Sequence, residues 1–177
     1  MRGMSLGLLL VIGSTQAAMA DEVEPPSEPP PPATGESRPA DKGTLGIGLI
    51  VGEPTGITAK LYLSDDRAIQ GALGASFIGG GYELHGEYVL HPWILQDRDS
   101  FVLPVYLGPG VRFIDYYSGR GSDSHFAIGA RGVIGMLFDF KEVPLDVFVE
   151  AGGGVEYDFT EHWEPVLNAG AGVRYYP

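Results

Sequence analysis

Three titratable residues at alternate positions, Glu83, His85 and Glu87, are the first place in this chain to look for chemistry. In an extended strand, alternate side chains share a face and sit about 7 Å apart. The trio could therefore hold a cation or relay a proton. The same residues can also belong to an interior ion-pair network with Lys60, Arg112, Arg131 and Arg174, joined by Asp146, Glu150 and Glu156. That second reading is adopted, because charge left unpaired in an interior is costly. Ser124 and His125 have the residue types of a nucleophile and its base. A working pair needs mutual contact and an orienting carboxylate, whereas adjacent strand residues point to opposite faces. The sequence accordingly assigns no catalytic residue, no cofactor and no metal ligand, and the chain reads as a non-enzyme.

Composition narrows the classes further. The 177 residues carry a formal net charge of −12, which argues against a nucleic-acid partner, since phosphate binding needs clustered Lys and Arg. With no cysteine, disulfides, thiolate metal sites and a cysteine nucleophile are excluded. The N-terminus has the layout of an export signal over residues 1–20. Arg2 supplies the charge, Leu6 to Ile12 the apolar run, and Ala18-Met19-Ala20 a small-x-small cleavage site. The apolar run is too short for a transmembrane anchor. Residues 21–42 follow, with seven prolines and six acids, and read as an extended Pro-rich acidic linker on the periplasmic side. Pro29 to Pro32 could meet a proline-recognising partner, but a solvated spacer is the simpler reading.

The elements that must position the charged residues begin at Gly43. From there to Pro177 the chain alternates by twos, the mark of strands with two different environments. In the last segment Leu167, Ala169, Ala171, Val173 and Tyr175 share one face, and Asn168, Gly170, Gly172 and Arg174 the other. Seven earlier segments read alike, which predicts an all-β fold, an eight-stranded antiparallel up-and-down barrel. Turns are expected at Gly52–Gly56, Ser64–Arg67, Gly79–Gly81, a stretch holding Trp93 and Gln96–Ser100, Lys141–Pro144 and Asp158–Glu164. The Tyr116–Ser124 segment is the longest loop. Pro104 predicts an irregular start to the fifth strand, and Gly108-Pro109-Gly110 a bulge.

The two faces decide where such a barrel can live. One is almost wholly aliphatic and aromatic. The other gathers Lys60, Glu83, His85, Glu87, Arg112, Arg131, Asp146, Glu150, Glu156 and Arg174. A small barrel has room inside only for side chains or one small ligand, so about five apolar residues per strand would overfill it. With the apolar face in lipid, every backbone group is paired by closure, and the mixed charges inside pair with one another. Aromatics gather at the segment ends, as girdles do. One rim would hold Tyr62, Trp93, Phe101, Phe138, Phe140, Tyr175 and Tyr176. The other would hold Phe77, Tyr82, Phe113, Tyr116, Tyr117, Phe126, Tyr157, Phe159 and Trp163.

An export signal, eight alternating segments and an aromatic-ended last strand resemble the small bacterial outer-membrane barrels, the OmpA/OmpX-like class of Gram-negative bacteria. In that family the final strand carries an assembly signal, which Asn168, Gly170, Val173 and Tyr175 match; Tyr176-Pro177 stand where a terminal Phe is usual. The resemblance implies insertion by the outer-membrane barrel assembly machinery, with outer-membrane lipid as the surrounding partner. It implies no particular function. The expected role is a non-enzymatic structural or interaction protein, its interior filled by the charged network. The alternative is a narrow, porin-like pore for ions or small solutes. The Tyr116–Ser124 loop is the best candidate contact for a protein partner.

Overall fold

The computed structural model describes residues 42–78, 80–116, 125–159 and 162–177. Residues 1–41, where an export signal and a linker are expected, and the segment 117–124 lie outside them. The described residues form eight strands and no helix: β1 (Leu45–Gly52), β2 (Thr55–Ser64), β3 (Arg67–Ser76), β4 (Gly81–Asp97), β5 (Phe101–Tyr116), β6 (His125–Phe140), β7 (Leu145–Asp158) and β8 (His162–Tyr175). Each pairs antiparallel with the next, and β8 returns to β1 with Val173 opposite Leu49, so one sheet closes on itself. Closure leaves most strands no free edge along most of their length. The turns after β2, β4 and β6 and the end of β8 share one end of the ring, the terminal end. The turns after β1, β3, β5 and β7 share the far end.

Alternation sorts the side chains as a two-period pattern requires. Leu45, Ile47, Leu49 and Val51 of β1 face outward and are exposed, and the same holds for Ile57, Leu61, Ile69, Leu84, Ile134 and Val149. The opposite face is buried inside the ring. Two aromatic residues expected at the terminal rim lie there instead. Tyr62 and Tyr176 are buried in the interior, in phase with Lys60 and Arg174. Tyr116, expected at the far rim, also turns inward, its hydroxyl donating to Glu156. Trp93, Phe138 and Tyr175 at one end, and Phe77, Tyr82, Phe126, Phe159 and Trp163 at the other, are exposed on the outside.

The strands differ from the sequence expectation in two places. β4 does not turn at Trp93 but runs on to Asp97. No register shift occurs at Gly108-Pro109-Gly110, where Pro109 sits opposite Gly132 of β6. In the β4–β5 ladder shifts fall between Leu90 and Trp93 and between Ile94 and Gln96, and the β2–β3 ladder has one between Tyr62 and Ser64. Pro92 accounts for the first. His91 N–H points to Asp66 of the β2–β3 turn, so the neighbouring Pro92 faces β5, where it has no N–H to give. Pro104 lies opposite Ile94, between the two shifts. At the β3–β4 turn Gly80 and Gly81 have φ of 73° and 125°, a region that side chains with a Cβ rarely adopt.

The wall is uneven in height. β1 has 8 residues and β2 and β3 have 10 each, whereas β4 to β8 have 14 to 17. β1 pairs with β8 only as far as Gly52 opposite Gly170, followed by one hydrogen bond from Glu53 N–H to Ala169 C=O.

Candidate functional site

All ten charged residues placed by alternation on the inward face are buried inside the ring. They do not form one network. The interior divides into two layers along its axis.

In the far half, β4 presents Glu83, His85 and Glu87 in a row, and β5, β6 and β7 present Arg112, Arg131 and Glu156. Arg112 Nη2 lies 3.0 Å from Glu83 Oε2, and its Nη1 donates to Glu156 Oε2. His85 Nδ1 is 2.9 Å from Glu83 Oε1, and its Nε2 is 3.6 Å from Glu87 Oε1. A carboxylate only accepts, so the Nδ1 proton points at Glu83. Arg131 Nη1 is 3.2 Å from Glu87 Oε1 and 3.8 Å from Glu83 Oε1. The first contact is close enough for charge compensation but is out of line for a hydrogen bond, and both Glu87 oxygens lack a hydrogen-bond donor. The Nε atoms of Arg112 and Arg131 are likewise unpartnered. Both arginines border a cavity of about 10 Å³, close to the least volume that holds one water.

In the terminal half the cations meet different neighbours. Among the described residues no carboxylate lies within 4 Å of Lys60 Nζ. It sits 2.8 Å from His91 Nε2, 4.5 Å from the centre of the Tyr106 ring and 5.0 Å from that of Tyr62. His91 Nδ1 is 3.3 Å from the Asp66 carbonyl, which can only accept, so Nε2 is the nitrogen free to accept from Lys60. Arg174 stacks 3.7 Å over the Phe148 ring and lies 3.5 Å from Asp146. Asp146 also accepts from Tyr176 Oη at 2.5 Å. Glu150 is satisfied by neutral donors, Tyr106 Oη at 2.7 Å and Gln70 Nε2 at 3.0 Å. Lys42, just ahead of β1, closes this end by reaching Asp139 and the Leu145 carbonyl, the latter at 2.6 Å.

The expected Lys60–carboxylate pairing is therefore replaced by aromatic faces and an imidazole. Among the described residues no three His, Asp or Glu side chains, Glu83, His85 and Glu87 included, are placed together as a metal would need. Ser124 lies outside the described residues, and His125 opens β6. Of the residues that match the expected assembly signal, Asn168 is buried and faces inward, while Val173 and Tyr175 are exposed on the outer face. Gly170 lies opposite Gly52 on one side and Glu150 on the other.

Several residues of this interior were not placed there from the sequence, Gln70, Tyr106 and Phe148 among them. Asp139 continues the phase of Arg131 eight residues on, and His91 that of Glu87 four residues on, so period-two counting carried to the ends of β6 and β4 would have reached both. Tyr176 shares the phase of Arg174 but reads as a rim aromatic. Lys42 and Glu53 lie in a linker and a turn, where no periodicity exists to place them. In the exposed Ser64–Arg67 turn, the Ser64 hydroxyl at 2.7 Å holds the Asp66 carboxyl below its usual pKa.

No protein-family model, curated protein or solved structure matches the chain.

Proposed function

We propose that this protein is a sealed outer-membrane β-barrel of bacteria, non-enzymatic, with a structural or interaction role. The observation that carries the reading is the inversion of its faces. Large apolar side chains are exposed around the outside of the closed sheet, while Lys60, Glu83, Arg112, Arg131, Asp146 and Arg174 are buried within it. In water this arrangement would expose a continuous apolar belt, far beyond the few hundred Å² a soluble monomer tolerates. In lipid it suits both faces, since a closed sheet satisfies its own backbone and the charges find partners inside. Exposed aromatics at both ends of the belt fit interfacial girdles.

A filled interior favours the sealed reading over the pore. The rings of Tyr106, Phe148, Tyr62 and Tyr176 cross the terminal half, and the ion pairs of Arg112 and Arg131 cross the far half. Insertion would follow the route of the barrels the sequence resembles, with the β8 residues Asn168, Gly170, Val173 and Tyr175 as the assembly signal. The test is refolding of the purified chain into phospholipid vesicles. The protein should float with the vesicles after an alkaline wash and run faster on a gel unheated than boiled. A chain that stays in the aqueous fraction, folded and monodisperse, would overturn the membrane assignment.

A further inference from the structure

The uneven wall leaves an opening at the far end. Among the described residues no strand pairs with His162–Asn168 of β8 on the side facing β1. Ala169 directs its carbonyl to Glu53 N–H on that side, so Leu167, Pro165 and Trp163, two, four and six residues away in the same phase, aim their backbone groups into the gap. Pro165 has no N–H to leave unpaired there, as suits an edge. The sill of the gap is the β1–β2 turn, and its other side is the β3–β4 turn. An outer groove of about 470 Å³ follows it, walled by Phe77, Ile78, Leu167 and Ala169. An inner cavity of about 240 Å³ lies beside it, walled by Arg112, Tyr116, Glu156 and Glu164. Glu53, Ile78 and Leu167 line both.

The two spaces differ in chemistry as the two ends of an amphiphile do. Phe77, Ile78 and Leu167 are 71%, 69% and 81% exposed, a concentration of bare apolar surface beside an open edge. The inner cavity holds three carboxylates, Glu53, Glu156 and Glu164, against the one guanidinium of Arg112. Glu53 is already held by Ser76 Oγ and the Phe77 and Ile78 N–H groups, and Glu156 by Arg112 and Tyr116. What remains is a negative field with an aromatic wall, which suits an ammonium group. An unpaired edge cannot lie in hydrocarbon, which puts the gap at the headgroup level, beside the exposed Trp163.

We infer that this gap is a binding slot for a single-chain amphiphile with an ammonium head, its chain along Phe77, Ile78 and Leu167 and its head toward Glu156 and Glu164. The placement at headgroup level rests on the membrane reading above; the slot itself rests on the register and the two cavities.

The full chain refolded in vesicles is titrated with dodecyltrimethylammonium below its critical micelle concentration, with dodecyl sulfate as the control. Amide NMR shifts report the site. Saturable shifts confined to Gly52, Ile78 and Leu167 are expected, with apparent affinity about tenfold weaker for dodecyl sulfate. Leu167→Arg should abolish the saturable response. Glu164→Gln, a substitution at an exposed residue, should reduce the preference for the ammonium head. Linear shifts spread along both aromatic rims, or equal response to both heads, would overturn the slot. A chain that fails to float with vesicles yet shows the saturable response in buffer would sink the membrane reading and leave the slot standing.

Discussion

Lys60 and Arg112 are both buried cations on inward faces of the same closed sheet, on β2 and β5, and they are held by different means. Arg112 bridges two carboxylates, Glu83 at 3.0 Å and Glu156. Lys60 touches none; it rests on the rings of Tyr106 and Tyr62 and on an imidazole nitrogen. The far half of the interior is thus organised by shared ion pairs, whereas in the terminal half the pairs Lys42–Asp139 and Arg174–Asp146 stand beside aromatic rings and neutral donors. The difference teaches that charge alternation in a strand sequence tells which residues go inside, and says little about how each is compensated once there.

The sharpest test of this contrast is to remove each cation without changing its bulk much. Arg112→Met leaves Glu83 and Glu156 facing each other with their shared partner gone, and should cost about 3–5 kcal/mol. The urea midpoint of the refolded protein, followed by its gel mobility shift, reads this loss. An Arg112→Met protein as stable as the parent would show that the far half is not held by its ion pairs.

In the terminal half the corresponding structural group is a tyrosine. Tyr106→Phe keeps the ring under Lys60 and removes the hydroxyl from Glu150 Oε2. The expected loss is about 1.5–3 kcal/mol, the worth of a buried hydrogen bond to a charged acceptor. Unfolding in urea checks it, and the double substitution with Gln70→Leu should be less than additive, because Gln70 Nε2 reaches the same oxygen.

Gly135→Ala probes the same ring by crowding. A Cβ there would lie 2.3 Å from the Tyr106 ring, so the ring must leave its place over Lys60. Overpacking of this kind costs about 1–3 kcal/mol. Near-ultraviolet circular dichroism should change along with stability, since the displaced ring packs at a tilt against His91. An unchanged spectrum would mean that the layer is loosely packed.

The smallest effect is assigned to Lys60→Met. No ion pair is broken; the hydrogen bond at His91 Nε2 and the contacts with the Tyr106 and Tyr62 rings are lost, relief from burying an ammonium offsets them, and the net cost is about 1 kcal/mol or less. If Lys60→Met proved as damaging as Arg112→Met, the distinction between the two halves would fall.

Much of the architecture was legible because the strand period is two and the chain is closed. Once Leu49 and Val173 are read as outward, every residue in phase with them is fixed, and Arg174 and Gly48 must turn inward. The same arithmetic reaches Asp139 from Arg131. It fails where the ladder is irregular or absent. Pro92 shifts the register in the middle of β4, so the course of Trp93 to Asp97 could not be read by counting. Tyr62 and Tyr176 are aromatic and near strand ends, which suits a girdle, yet phase puts them inside; phase is the stronger constraint because a one-residue change of face moves a side chain across the sheet. The pairing of Lys60 with His91 depends on the β2–β3 turn and on the reach of a long side chain, neither of which alternation encodes. The open edge of β8 follows from unequal strand lengths, and these emerge only once the register with β1 is known.

The most direct measurement of the central claim is electrical. The protein, refolded and shown to be folded by its mobility shift, is added to a planar lipid bilayer in concentrated potassium chloride. The account predicts insertion, detected by protection of the strands from protease added to vesicles, with no conductance steps. Steady, salt-dependent unitary steps would contradict a sealed interior.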